Sequence, residues 1–149
     1  MFSGVFQHSI DAKGRTSLPA KFRETLSAQG ADKLFITRDL IDDCLLAFAP
    51  AAWTKVAEKV AARSMFDPDA RKVARLFFAP AHECPVDKLG RILIPPSLRE
   101  SAGLVEEITW AGQVERIEIW APPKWAAEQK KARESESGEQ LARRLSEFF

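Results

Sequence analysis

Two five-residue segments hold the side chains best placed to do chemistry: Asp11-Ala12-Lys13-Gly14-Arg15 and Asp87-Lys88-Leu89-Gly90-Arg91. In each, a carboxylate precedes a guanidinium with a glycine between them. An acid or base role for Asp11 and Asp87 is set aside, because neither has a partner carboxylate close in sequence and a turn accounts for both. Aspartate can bond its own backbone two residues on, and Gly14 and Gly90 supply the positive φ of a tight hairpin with a bulge. The basic residues suit another task. The planar arginine fork makes bidentate bonds to phosphates and guanine edges, and a hairpin tip is narrow enough to enter a major groove. Lys13, Arg15, Lys21 and Arg23 cluster in the first segment against Asp11 and Glu24. Lys88, Arg91 and Arg99 do the same in the second against Asp87 and Glu100. The plain alternative is a hairpin turn with Asp and Arg paired across it. The basic residues favour DNA binding, and with it control of transcription rather than catalysis. The DNA-contact candidates are Lys13, Gly14, Arg15, Lys88 and Arg91, and the turn-formers are Asp11, Gly14, Asp87 and Gly90.

Other constellations carry less. His8, His82, Cys44 and Cys84 could converge on zinc, but their spacing fits no zinc motif. The cysteines form no C-x-x-C pair and read as small core hydrophobes in a reducing cytosol. There is no phosphate-binding glycine loop or nucleophile elbow. Trp53 and Trp125 could stack on bases, yet each follows an Ala-Pro helix start, which favours core packing. Arg71, Lys72 and Arg75 read as a solvated helix face. No cofactor, metal or small-molecule substrate is expected, and no enzymatic activity.

The elements that must hold these turns come in duplicate. Asp11 to Glu24 recurs as Asp87 to Glu100 at an offset of 76, with Asp, Gly, Arg, Pro, Arg and Glu identical at matching places. Phe48-Ala49-Pro50-Ala51-Ala52-Trp53 then aligns with Trp120-Ala121-Pro122-Pro123-Lys124-Trp125 at an offset of 72, and Gly30 and Gly103 end comparable helices. The conserved order of two blocks makes duplication the better explanation.

Each copy predicts a strand before the Asp (5–10 and roughly 83–86), the turn, a short strand (16–18 and 92–94) and a helix begun by proline. Two further strands follow: 34–38 with 45–48, and 107–110 with 115–120. Ile117 and Ile119 alternate with Arg116 and Glu118, a half-buried pattern. Between the copies, Trp53, Val56, Ala57, Val60 and Ala61 form one helical stripe. Asp67-Pro68 starts a second helix with Ala70, Val73, Ala74, Phe77 and Phe78, ended by Pro80. The tail breaks near 135–138 and resumes with Leu141, Leu145 and Phe148. The expected units are a first repeat at 7–54, a helical connector at 55–82, a second repeat at 83–126 and a charged helical tail at 127–149. The fold class is α+β and β-rich. Two copies too small to bury a core alone should close into one pseudo-symmetric small barrel with peripheral helices.

The chain has 149 residues with a formal net charge of +1. That is no uniformly basic DNA-coating balance, so positive charge must be local or multiplied by oligomerisation. No apolar run approaches a membrane span, and no secretion signal is expected.

With its start Met1-Phe2-Ser3-Gly4, its doubled D-x-x-x-R motif, Ile92-Leu93-Ile94-Pro95 and Ile117-Glu118-Ile119-Trp120, the sequence resembles the MraZ family of bacterial transcriptional regulators over nearly its whole length. The resemblance implies a tandem fusion of two AbrB-like swapped-hairpin units and a ring-shaped, octamer-like homo-oligomer in the cytoplasm, associated with the nucleoid. It implies binding of double-stranded DNA at short direct repeats upstream of its own gene and the division and cell-wall gene cluster. Position by position, the family motif falls on Asp11 and Arg15, then on Asp87 and Arg91. The second copy has Leu89 where Lys13 stands and its lysine at 88, so the first turn is expected to make the contact and the second mainly to complete the barrel. The rival is an AbrB-like non-enzymatic interaction module of antitoxin type; a small barrel hydrolase or transferase would need convergent catalytic residues that the sequence does not offer.

Overall fold

Where the short strands flanking each turn find their partners decides the architecture. The computed structural model describes residues Met1–Phe149. The first repeat comprises β1 (Val5–Ser9), β2 (Arg15–Ser17), α1 (Ala20–Ala28), β3 (Lys33–Arg38), β4 (Leu45–Phe48) and α2 (Pro50–Ala61). A connecting helix α3 (Pro68–Val73) runs on into a π-helical turn over Ala74–Phe78. The second repeat comprises β5 (His82–Pro85), β6 (Arg91–Leu93), α4 (Pro96–Ala102), β7 (Glu107–Gln113), β8 (Arg116–Trp120) and α5 (Pro122–Ser135), and α6 (Gly138–Ser146) follows.

The strands form an antiparallel six-stranded sheet in the order β1-β7-β8-β4-β3-β5 and a two-stranded ribbon, β2-β6. The repeats exchange strands: β1 pairs with β7 and β5 pairs with β3. Replacing every strand by its counterpart in the other repeat returns the same order reversed, so the molecule has a pseudo-twofold axis. Two pairings join a residue to its own counterpart, Thr16 with Ile92 in the ribbon and Leu46 with Glu118 in the sheet. The axis passes through both.

One core cluster fills the space between ribbon and sheet. The sheet gives it Leu34, Ile36, Leu45, Ala47, Ile108, Trp110, Ile117 and Ile119, while the ribbon gives Ile92. Helix α1 adds Phe22 and Leu26 at i and i+4, and α4 adds Leu98 and Ala102, each pair on one helical face. Phe22 is wholly buried and meets Phe2, Phe6 and Trp110 edge-on, a favoured aromatic arrangement. A second cluster lies on the outer face of the sheet, where Leu46, Phe48 and Phe77 pack with Trp53, Val56, Val73 and Phe78. Trp53 stacks on Phe35 with centroids 5.4 Å apart, and Trp125 lies against Trp120 at 5.9 Å. Both tryptophans are packing residues.

Three local departures from expectation have visible causes. The prolines Pro19 and Pro95 occupy the N-cap places, and in α4 the following Pro96 takes the first turn. Strand β7 runs on to Gln113 because the N-terminal segment pairs beside it: Phe2 N–H donates to Val114 O (2.7 Å) and Gly112 N–H to Gly4 O (2.9 Å). The connector helix, capped as expected by the Asp67 side chain, widens in its last turn. There the Phe77 carbonyl accepts the buried Thr37 hydroxyl at 2.5 Å, and Phe77 and Phe78 both reach Trp53. The tail breaks where expected, with Ser137 capping α6; Leu141, Leu145 and Phe148 are exposed. No helix is long and apolar enough to cross a membrane.

Phe22→Ala should cost about 3–5 kcal/mol by opening a cavity where helix, sheet and N-terminal segment meet. Urea unfolding measures it, and a loss below about 1 kcal/mol would contradict this placement of Phe22 in the core.

Candidate nucleic-acid interface

The two turns are built alike, atom for atom. Asp11 Oδ1 accepts the Lys13 and Arg15 backbone N–H groups at 3.0 and 2.9 Å, while Oδ2 accepts Arg15 Nε at 2.9 Å. Asp87 Oδ1 accepts the N–H groups of Leu89 and Arg91 at 2.9 Å each, and Oδ2 accepts Arg91 Nε at 3.0 Å. Gly14 and Gly90 have φ of +92° and +77°. The aspartate side chain thus replaces the hydrogen bonds a longer turn would need, and the Asp–Arg pairing weighed as the plain alternative is present in both copies. It uses only Nε of each arginine; Arg15 and Arg91 form no hydrogen bond through their terminal nitrogens and remain about a third exposed or more, at 40% and 34%.

Both carboxyl groups are held below their ordinary value of 3.8. The backbone N–H of Arg15 or Arg91 is the leading cause, with that residue's guanidinium and the N–H of Lys13 or Leu89 behind it. Each turn therefore keeps its charge pair at neutral pH and still leaves two guanidinium nitrogens without a hydrogen-bond partner.

The ribbon places the turns relative to each other. Arg15 stands opposite Leu93 and Ser17 opposite Arg91. Pairing extends one step beyond at each end, with Leu18 N–H donating to Gly90 O (2.9 Å) and Ile94 N–H to Gly14 O (2.8 Å). Because side chains alternate along a strand, Thr16 and Ile92 point into the core and Arg15, Ser17, Arg91 and Leu93 face outward. Lys13 and Lys88 lie exposed at the two turns. The structure thus brings Lys13, Arg15, Lys88 and Arg91 onto one ribbon.

Two cations that sequence reasoning grouped by proximity lie elsewhere. Arg23, expected beside the first turn, lies over Gly90 of the second; a Cβ on Gly90 would strike its guanidinium. Arg99 lies over Gly14 of the first turn and donates from Nε to Ile94 O at 2.9 Å. A Cβ on Gly14 would stand 2.6 Å from Ile94 O and 2.7 Å from Arg99 Nε. The close approach that Gly14 permits here is thus to the opposite repeat. The signal for this exchange was the matched Arg23 and Arg99, but no sequence spacing says which turn each one covers. Lys21 points away from the turns to Ser3 Oγ, at 3.2 Å.

The fold does not gather the four zinc candidates. His8 Nδ1 lies 2.6 Å from Ser17 O, and His82 Nδ1 lies 3.0 Å from Pro80 O. Cys84 is buried, and burial pushes its thiol up to about 12. Cys44 instead meets Asp39 and Glu118, their potential ligand atoms within 4.8 Å of one another. Burial first, and the surrounding carboxylates after it, hold the Cys44 thiol protonated, and it donates to Asp39 Oδ2 at 3.6 Å.

Comparison with known proteins agrees with the doubled architecture. The profile of the MraZ protein family, described as antitoxin-like, matches twice, over residues 1–76 and 77–148. A protein named transcriptional regulator MraZ from Desulforamulus reducens is 42% identical over 149 residues, covering 100% of both chains. Its namesake from Caldicellulosiruptor saccharolyticus is 43% identical over 148 residues, 99% of each chain. One from Thermomicrobium roseum is 46% identical over 128 residues, 86% of this chain and 87% of its own.

Gly14→Ala should destabilise the protein by more than about 1–2 kcal/mol, since it adds a steric clash with Ile94 O to an unfavourable φ; its urea midpoint decides. The depressed carboxyl groups of Asp11 and Asp87 contribute stability that is complete above 3.8, their unfolded value, and is lost as pH falls through their lower folded values. Urea midpoints followed downward from about pH 5 should therefore fall less steeply for Asp11→Asn/Asp87→Asn than for the native chain.

Proposed function

The chain belongs to the MraZ family, and from that premise we propose that it regulates transcription by laying the β2–β6 ribbon in the major groove of double-stranded DNA. Its relatives are named as transcriptional regulators, and the family has no enzymatic role. The observation that carries the proposal is the ribbon itself, whose outward face holds Arg15 and Arg91 with Lys13 and Lys88 at its ends. A major groove admits a two-stranded ribbon. The free guanidinium nitrogens are suited to phosphate oxygens and base edges, and the lysines to phosphates. Both turns take part, because the second has Lys88, Arg91 and the overlying Arg23 to set against Lys13, Arg15 and Arg99 in the first.

The strand exchange and palindromic sheet order support two AbrB-like swapped-hairpin units, 7–54 and 83–126, closing one small barrel. On this reading 55–82 serves as connector and 127–149 as tail. The targets are short direct repeats upstream of the chain's own gene and of the division and cell-wall cluster, reached in the cytoplasm at the nucleoid. A ring of copies, octamer-like, would multiply a modest contact by avidity, provided the DNA repeats match the spacing of the subunits. That accounts for DNA binding by a chain of net charge +1. The two-repeat length weighs against a single-motif antitoxin.

Arg15→Ala should lower affinity for a duplex carrying the upstream repeats by at least about tenfold while far-UV circular dichroism stays native. Undiminished affinity of the folded variant sinks the proposal. Lys13→Ala and Lys88→Ala should each reduce the slope of log affinity against log salt by about one, with little change in sequence preference.

A further inference from the structure

The ribbon is symmetric in backbone and unsymmetric in side chains. Repeat counterparts Lys13 and Leu89 differ, as do Ser17 and Leu93. Both leucines are solvent-exposed, Leu89 at 72% and Leu93 at 51%. Neither belongs to the core clusters. Leu93 projects on the face of β6 that bears Arg91, directly across from Arg15, while Leu89 sits in the turn next to Lys88. Two apolar side chains thus stand among the cations of an otherwise polar face, both on the second-repeat half. A second protein would have to bury Lys13 and Lys88, which form no ion pair, and the free terminal nitrogens of Arg15 and Arg91 along with them. In a major groove the phosphates meet the cations, and the apolar feature within reach is the C5-methyl group of thymine.

We infer that Leu89 and Leu93 are specificity-determining residues that bury thymine methyl groups of the bound duplex and thereby fix the direction in which the pseudo-symmetric ribbon lies on DNA. This rests on the DNA-binding role proposed above for the same ribbon. A face whose two basic halves differ, one bearing a hydroxyl and the other two leucines, matches a site without dyad symmetry. Reversing the ribbon would set Lys13 and Ser17 where the methyls are and leave the leucines on polar edges. Copies that each demand one direction fit sites repeated head to tail.

The test uses the intact protein and duplexes it enriches from a randomised pool. Each thymine of the enriched sequence is replaced by uracil, which deletes the methyl and leaves every hydrogen-bonding edge unchanged. Replacement at one or more positions should weaken native binding about three- to fourfold per buried methyl. Leu89→Lys/Leu93→Ser, which gives these two positions the residues of their counterparts Lys13 and Ser17, should bind with no dependence on those methyls. Indifference of the native protein to uracil at every position overturns the inference, as does an equal penalty for protein and variant. A variant that keeps the methyl dependence but loses oligomeric mass overturns it too, placing the leucines between copies. If no sequence is enriched, the DNA-binding role itself fails, and that result is distinct from enrichment without methyl dependence.

Discussion

Neither repeat can finish its own sheet, and that constraint governs the rest of the molecule. β1 has its hydrogen-bonding partner in the second repeat and β5 has its partner in the first. Each turn must therefore carry the chain from a strand in the large sheet to a strand in the ribbon, and the ribbon exists only because both repeats contribute a strand. The reciprocal bonds from Leu18 N–H to Gly90 O and from Ile94 N–H to Gly14 O lock the crossing at both ends. Buried amides need partners, so releasing one repeat would orphan groups in the other. The glycines have little latitude here. Gly14 is pressed on Ile94 and Arg99, and Gly90 on Arg23, so the atoms that hold the halves together are also those that set the proposed DNA face.

The exchange also explains why the ribbon can be short. Three residues of β2 against three of β6 would not hold together as an isolated hairpin. Here the inward side chains Thr16 and Ile92 are buried, the Thr16 hydroxyl donates to Ser9 O at 2.8 Å, and the helices begun after Pro19 and Pro95 close over the core. A rigid scaffold beneath a small exposed strip is what positions side chains for recognition. Outward residues then vary without touching the fold, which is why Lys13 and Leu89, or Ser17 and Leu93, can differ between repeats with the same order of elements.

Much of this was legible in the sequence because the repeat supplied an internal comparison. Asp11 and Asp87, with their glycines, announced turn chemistry that the hydrogen bonds bear out. The strand Leu45 to Phe48 was bounded correctly, Asp67-Pro68 marked a helix start, and Phe22 and Leu26 revealed a buried face. What stayed hidden was partnership across the repeats. Alternation in Arg15 to Ser17 says which side chains share a face, but not that the neighbouring strand is Arg91 to Leu93. Helical spacing puts Arg23 on α1, but not over Gly90. The extension of β7 depended on Phe2 and Gly4, which carry no strand signal of their own. In each case the missing information was a long-range pairing, and local propensity holds none.

The net charge of +1 says little about how differently the two ends of the pseudo-twofold axis are furnished. At one pole lies the ribbon with Arg15 and Arg91 facing out. At the other the axis crosses the sheet at Leu46 and Glu118, and since Ile117 and Ile119 on either side are buried in the core, Glu118 faces the opposite way from the ribbon. Asp39 lies beside it, and Asp39 and Asp42 both act on its ionisation. Burial leads these in raising the affinity of Glu118 for its proton, and the Trp120 indole N–H, at 3.1 Å, works against that. Total charge is a poor guide to nucleic-acid binding in such a molecule, because the field at a phosphate depends on which charges stand within roughly a Debye length, about 10 Å in moderate salt. Asp39, Asp42 and Glu118, on the far side of the core, weaken the ribbon's field less than equal charges beside it would. The duplication makes this arrangement natural: both turns fall at one end of the axis because symmetry places them there, and the β4–β8 junction falls at the other for the same reason.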